Sequence, residues 1–248
     1  IVASGGNQNI QKSNMSNQNN QGTSNSGGKT ETTNSNSDSS KKTGGDNSSE
    51  NNSTASVVEE FNKAINKVKT DGKITRVRNG SKPNGNSEGK FPFPITTSVV
   101  DKVIDTAMAS NGIKEENASV SADDFPVEKQ SYSSKLTADD VKSAKKDGNV
   151  ITLELVDDEL GEADNGHGQK ALSVIKSSTI MDNVPSIAKS IVSEAKTSCK
   201  NAKIVATLDD KGNVIKASYT FDWDIALSGS GLDCKLHFAQ VSDFEISY

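Results

Sequence analysis

Seven residues on consecutive odd positions, Ile215, Ala217, Tyr219, Phe221, Trp223, Ile225 and Leu227, form one apolar row near the end of the chain. A period of two sustained over that length is the mark of a strand with one buried face. It commits the last third of the chain to a sheet and raises the question of what the row faces, a packed core or a bound molecule. Strand 202–208 turns at "DDKGN" into strand 214–227, which turns at "SGSG" into strand 232–248, so this region reads as a β-meander.

With Leu227 opposite Leu232, Ile225 meets Cys234, Trp223 meets Leu236, Phe221 meets Phe238 and Ile215 meets Phe244. The other face then pairs Asp224 with Lys235, Asp222 with His237 and Lys216 with Asp243, and agreement of both faces is what fixes register. In this register the apolar face carries Tyr219 opposite Gln240 and Ala217 opposite Ser242, a small gap with a polar edge. Tyr219, Phe221, Trp223, Phe238, Gln240 and Ser242 are therefore the candidate ligand-binding residues, an apolar floor with a few placed polar groups. Two alternatives stand beside that pocket. Small residues there admit a helix, or a bulge near Ala239 turns Val241 inward and closes the gap.

Upstream, Val57, Val58, Phe61, Ala64, Ile65 and Val68 make one helical stripe over 54–70, with Ser53 or Thr54 as the N-cap and Asp71-Gly72 as the stop. "KITRVRNG" is a short strand, followed by "NGSKPNGNSEGK" as loop. Ser98 caps a second helix that runs to Asn111-Gly112, and 113–135 reads as an irregular surface connection. "VKSAKKDGNVITLELVD" is a hairpin through Lys146-Asp147-Gly148 that pairs Val141 with Leu153 and Ser143 with Ile151. Residues 171–181 fit helix or strand, and Val184–Lys196 is a third helix with Pro185 in its first turn. The fold class expected for 54–248 is α+β, a single domain in which a curved antiparallel β-sheet packs about three amphipathic helices on one face.

Residues 4–52 are almost entirely Asn, Ser, Gly, Thr, Gln and Lys, with Ile10 and Met15 as the sizeable apolar residues. Such a tract cannot offset chain entropy by burial, so 1–53 is expected to be a disordered tether. Its coil would average roughly 40 Å end to end and extend to about 170 Å. The opening Ile1-Val2-Ala3-Ser4 is either the remnant of a trimmed export signal or a boundary without meaning. The formal net charge is −5, and Arg76 and Arg78 are the only arginines, so nothing suggests a nucleic-acid partner.

The chemistry-bearing residues are sparse. Cys199 and Cys234 would sit about 10 Å apart across two strand spacings, beyond the roughly 7 Å that a disulfide tolerates, and Cys234 reads as a small core residue. His167 and His237 have no second ligand at metal spacing, and the acidic run Asp157, Asp158, Glu159, Glu162 and Asp164 lacks the ligand order of a calcium loop and reads as solvated charge. No nucleophile elbow or phosphate loop is present, so neither catalysis nor a cofactor is expected.

"FNKAINKVKTDGKITR", "LTADDVKSAKKDGNVITLELVDDE" and "DDKGNVIKASYTFDWDIALSGSG" resemble a family of uncharacterised secreted lipoproteins of gut Firmicutes, and the similarity covers most of 57–248. More distantly, the order of helix and curved sheet is similar to half-barrel lipoprotein carriers such as the LolA-like and LppX-like proteins, which hold acyl chains between sheet and helices. Residues 1–53 hold no lipobox cysteine, a departure from the lipoprotein pattern. The family resemblance implies an extracytoplasmic location and carries almost nothing on activity. The leading expectation is a monomeric, non-catalytic, membrane-anchored lipoprotein at the cell surface, binding a lipid or other apolar ligand between helices and sheet. The rival expectations are a cell-envelope interaction module with a solid core and a hydrolase whose site is unrecognised.

Overall fold

The computed structural model describes residues 53–248 apart from 93, 99, 103, 104, 106–111, 128, 129, 132, 173, 185, 187 and 188. Of the tether expected over 1–53, residues 1–52 lie outside the described residues, and Ser53 caps the first helix. So does most of the helix expected from Ser98, although Thr97, Ser98, Val100, Asp101, Lys102 and Asp105 are helical.

Helix α1, Thr54–Asp71, forms where its apolar stripe predicts. The Ser53 hydroxyl accepts from the Ser56 N–H at 3.3 Å, which satisfies one of the orphan donors of the first turn, and the Gly72 N–H closes on the Val68 carbonyl. All six residues of the stripe are buried, in one cluster with Ile151, Leu153, Ile204, Ala217, Tyr219 and Phe244.

That cluster rests on a mostly antiparallel sheet that does not close. Its strands are β1 (Lys73–Pro83), β2 (Glu88–Lys90), β3 (Lys114–Val120), β6 (Val141–Asp147), β7 (Val150–Leu155), β8 (Val192–Thr197), β9 (Lys200–Leu208), β10 (Val214–Gly229) and β11 (Leu232–Ser247). The short pair β4 (Pro126–Val127) and β5 (Gln130–Ser131) stands apart. The path runs β3-β1-β11-β10-β9-β7-β6, with β2 also on β11 and β8 also on β10. The spine is the β10–β11 hairpin, each strand about 50 Å long. Along its β10 edge, β9 pairs with the first half and β8 with the second, meeting at Ser198–Cys199. Along the β11 edge β1 and β2 divide the length in the same way.

The meander is as expected, but its register differs by two residues. The hairpin closes at Ser230–Gly231, with Gly231 at φ 71°, so Gly229 and not Leu227 lies opposite Leu232. A shift of two keeps every side chain on its face and changes every partner. Trp223 now meets Phe238, Phe221 meets Gln240, Tyr219 meets Ser242, Ala217 meets Phe244 and Asp224 meets His237. Pairing is unbroken from Lys216 to Gly229, so the bulge near Ala239 does not form. Against β9 the register shifts twice, between Val214 and Lys216 and between Thr220 and Asp222, and the first shift buries Val214 where Ile215 was expected.

The β6–β7 hairpin errs in the same direction. It turns through Gly148–Asn149, with Gly148 at φ 56°, and pairs Val141 with Leu155 and Ala144 with Leu153. The third expected helix is largely overturned: Val192–Thr197 is strand β8, which pairs with the far end of β10 and buries Val192, Ala195 and Thr197, with a register shift between Ser228 and Gly229. Residues 171–181 instead supply the short helix α2, Ser177–Asp182. The loop expected after Asn79 continues as strand to Pro83, and the connection 113–135 contains edge strand β3 and the buried Phe125. No helix among the described residues is long and apolar enough to cross a membrane.

Candidate functional site

The candidate row lies along one face of β10–β11, but its members fall into three surroundings. Tyr219 is buried in an edge-to-face triad with Phe125 (centroids 6.2 Å apart) and Phe244 (6.1 Å), and Phe125 and Phe244 meet at 4.9 Å. Phe125 arrives from the 113–135 connection and Ile65 from α1. The space left beside Tyr219 is only about 10 Å³.

Gln240 and Ser242, the intended polar edge, are occupied by β1. Ser242 Oγ donates to Asn79 Oδ1 at 2.7 Å, Gln240 Nε2 approaches the same Asn79 oxygen at 3.4 Å, and Ser81 donates to Gln240. Asn79 and Ser81 lie directly opposite Ser242 and Gln240 on the neighbouring strand, so the polar groups answer one another within the sheet. Phe221 is half-buried against the main core. Trp223 and Phe238 stack at 4.6 Å in a second cluster with Ile180, Ala195 and Ile225. The Trp223 indole N–H is buried without a partner among the described residues.

The opposite face holds His237, whose Nδ1 is 2.7 Å from Asp224 Oδ1 and not beside Asp222 as expected. Lys235 Nζ reaches the other Asp224 oxygen at 3.2 Å, and Glu88 stands 3.6 Å from His237 Nε2. Burial works to raise the Asp224 pKa, but hydrogen bonds from His237, Lys235 and Ser198 prevail and hold it below the usual carboxylate range. Asp222 binds Asn201 Nδ2 instead. Both cysteines are free and buried, Cys234 on β11 as the register argument required and Cys199 at the β8–β9 junction. Among the described residues no three His, Cys, Asp or Glu side chains converge as a metal site.

The acidic run is not simply solvated charge. Asp158 is 2% exposed and accepts the N–H groups of His167 (2.7 Å) and Gly168 (2.8 Å). Asp164 accepts from the Ser177 N–H at 2.7 Å and from the hydroxyls of Ser177 and Thr197. Asp140, fully buried, accepts from the Thr137 N–H and hydroxyl on one oxygen and from His167 Nδ1 and Lys170 Nζ on the other. The loop from 157 to 177 is thus folded around carboxylates.

Those carboxylates shape one wall of an open groove of about 700 Å³. The other wall is α1 with the segment 133–135, which Asn62 and Asn66 pin by bonding the Leu136 and Ser134 carbonyls at 2.7 and 3.0 Å. Lys69, Lys135, Lys170 and Lys176 line it against the single carboxylate Asp164. Burial lowers the Lys69 pKa, opposed by the charge of Asp123. These lysines come from three separate segments, α1, 133–135 and the 157–177 loop, so no local sequence pattern could have grouped them. Comparison with protein-family models, curated proteins and solved structures finds no match for this chain.

Proposed function

We propose that this chain is a non-catalytic, monomeric interaction module of the cell surface, an extracytoplasmic lipoprotein held to its membrane anchor by the Asn/Ser/Gly-rich leader. Its partner is engaged on the outer surface and not within the core. The observation that carries this is the filled apolar row: a space of about 10 Å³ beside Tyr219 admits one water, whereas ligand pockets occupy roughly 300–1,000 Å³. The engagement of Gln240 and Ser242 by Asn79 and Ser81 points the same way. The curl of the sheet around its helices belongs to the same proposal, supported by the cluster that α1 shares with six strands.

A second reading keeps the amphipathic ligand and moves it to the Trp223–Phe238 stack, where the unpartnered indole N–H would meet a polar head group. Native mass spectrometry of the full chain, before and after solvent extraction, distinguishes the two. The proposal expects the bare mass throughout. A lipid retained through purification, with Trp223 fluorescence changing on its removal, would instead establish the carrier. Surface labelling of intact cells tests the location, and protection of the chain until lysis would refute it.

A further inference from the structure

We propose that the groove between α1 and the 164–176 loop binds an anionic, hydroxyl-rich polymer. This inference rests on the surface-engagement reading above and names its partner class. The chain as a whole is acidic, with 33 carboxylates against 28 basic residues, yet the groove gathers four ammonium groups around one lining carboxylate. That carboxylate, Asp164, is already held by Ser177 and Thr197. Lys170 is balanced from beneath by Asp140, which leaves Lys135 and Lys176, both exposed and without a carboxylate partner among the described residues, to act on a guest.

The remaining lining narrows the class. Thr70, Ser133 and Asn165 offer hydroxyl and amide groups suited to hydroxyls, and among the described residues no aromatic or aliphatic side chain lines the groove. Nucleic acid would want stacking platforms, and an apolar peptide or lipid would want an apolar floor. Lysines address anions as flexible point charges, which suits a repeating polymer better than one fixed bidentate anion. The open shape lets such a chain pass through instead of ending in it. The frame is rigid where it matters, since Asn66 fixes the backbone that carries Lys135, and the Lys135 N–H binds the Lys170 carbonyl at 3.0 Å.

The test titrates the full chain with polygalacturonate, galacturonic acid monomer and inorganic polyphosphate of matched charge at low and high salt. The expected result is saturable binding of polygalacturonate that weakens with salt and falls at least tenfold in Lys135→Glu/Lys176→Glu. A smaller loss is expected in the Gln pair, and no loss in Lys211→Glu, which lies outside the groove. Circular dichroism and thermal midpoints of the variants are expected to match wild type. The proposal is overturned by absence of polymer binding, by equal binding in all variants, by monomer binding as tightly as polymer, or by binding of polyphosphate alone. A chain that retains lipid in mass spectrometry and still binds the polymer would overturn only the solid-core reading.

Discussion

Lys170 Nζ lies 2.5 Å from Oδ1 of Asp140, a carboxylate whose side chain is 1% exposed, and His167 Nδ1 approaches the same oxygen at 2.8 Å. Burial alone would raise the Asp140 pKa, but the hydrogen bonds from Lys170, His167 and Thr137 outweigh it and bring it to about 2. A carboxylate depressed in the folded state contributes stability that is complete above its ordinary range, near 3.8, and is lost as pH falls toward 2. Urea midpoints measured between pH 5 and 2 should therefore fall in wild type and fall less steeply in Asp140→Asn. At pH 7 that variant should lose about 2–4 kcal/mol, because the amide keeps one acceptor oxygen where the carboxylate served Thr137 on one side and His167 and Lys170 on the other, and its NH2 faces donors in place of the second. Equal slopes in the two proteins would remove Asp140 from the acid response.

Gly166 sits where a side chain has no room. A Cβ there would fall 2.2 Å from Cγ of Asp158, the carboxylate that caps His167 and Gly168. Gly212, at φ 76° in the turn before β10, has nothing within 4 Å of its virtual Cβ. Gly166→Ala should cost roughly 2–3 kcal/mol through displacement of Asp158, and Gly212→Ala only about 1 kcal/mol through backbone strain. Chemical denaturation of both variants should reproduce that order. The reverse order would mean that the 157–177 loop yields without cost.

The physical reasons for success and failure in reading this chain lie in particular residues. The α1 stripe was legible because an amphipathic helix is a local pattern, complete from Ser53 to Gly72. The row on β10 was equally legible in its face and not in its partners, since period two fixes which side is buried, while register depends on whether "SGSG" turns with four residues or two. Val192–Thr197 was misread because a segment with helical spacing was recruited by the open edge of β10, a tertiary demand that local pattern does not contain. The groove was invisible because Lys69 and Lys176 are brought together only by the fold. Gln240 and Ser242 were correctly seen as polar groups in an apolar face, but their partners Asn79 and Ser81 lay in what looked like loop.

The two thiols should behave as core atoms. Burial, reinforced by the charges of Asp158 and Asp157, pushes the Cys199 thiol far above its usual range, and burial raises Cys234 as well. Thiolate is the reactive species, so both should be inert to an aromatic disulfide reagent in the native chain and react rapidly in denaturant. The intact mass under oxidising conditions should show no loss of two hydrogens. Fast native labelling of either cysteine would mean that its cover opens readily.

Phe125 decides whether the row beside Tyr219 is filled. Its ring is 1% exposed and meets Phe244 and Tyr219 edge to face, so Phe125→Ala should destabilise the fold by about 3–5 kcal/mol, the sum of lost transfer energy and a cavity that its neighbours cannot fully close. The same deletion enlarges a space of about 10 Å³, edged by Asn66, Lys69 and Ser134, into one whose floor is Tyr219, Phe244 and Ile65, and an apolar floor of that kind takes up small aromatics. Benzene should then raise the melting temperature of the variant and leave wild type unchanged. Stabilisation of wild type to the same extent would show that a guest site already exists above the row, and the solid-core proposal would give way to the carrier.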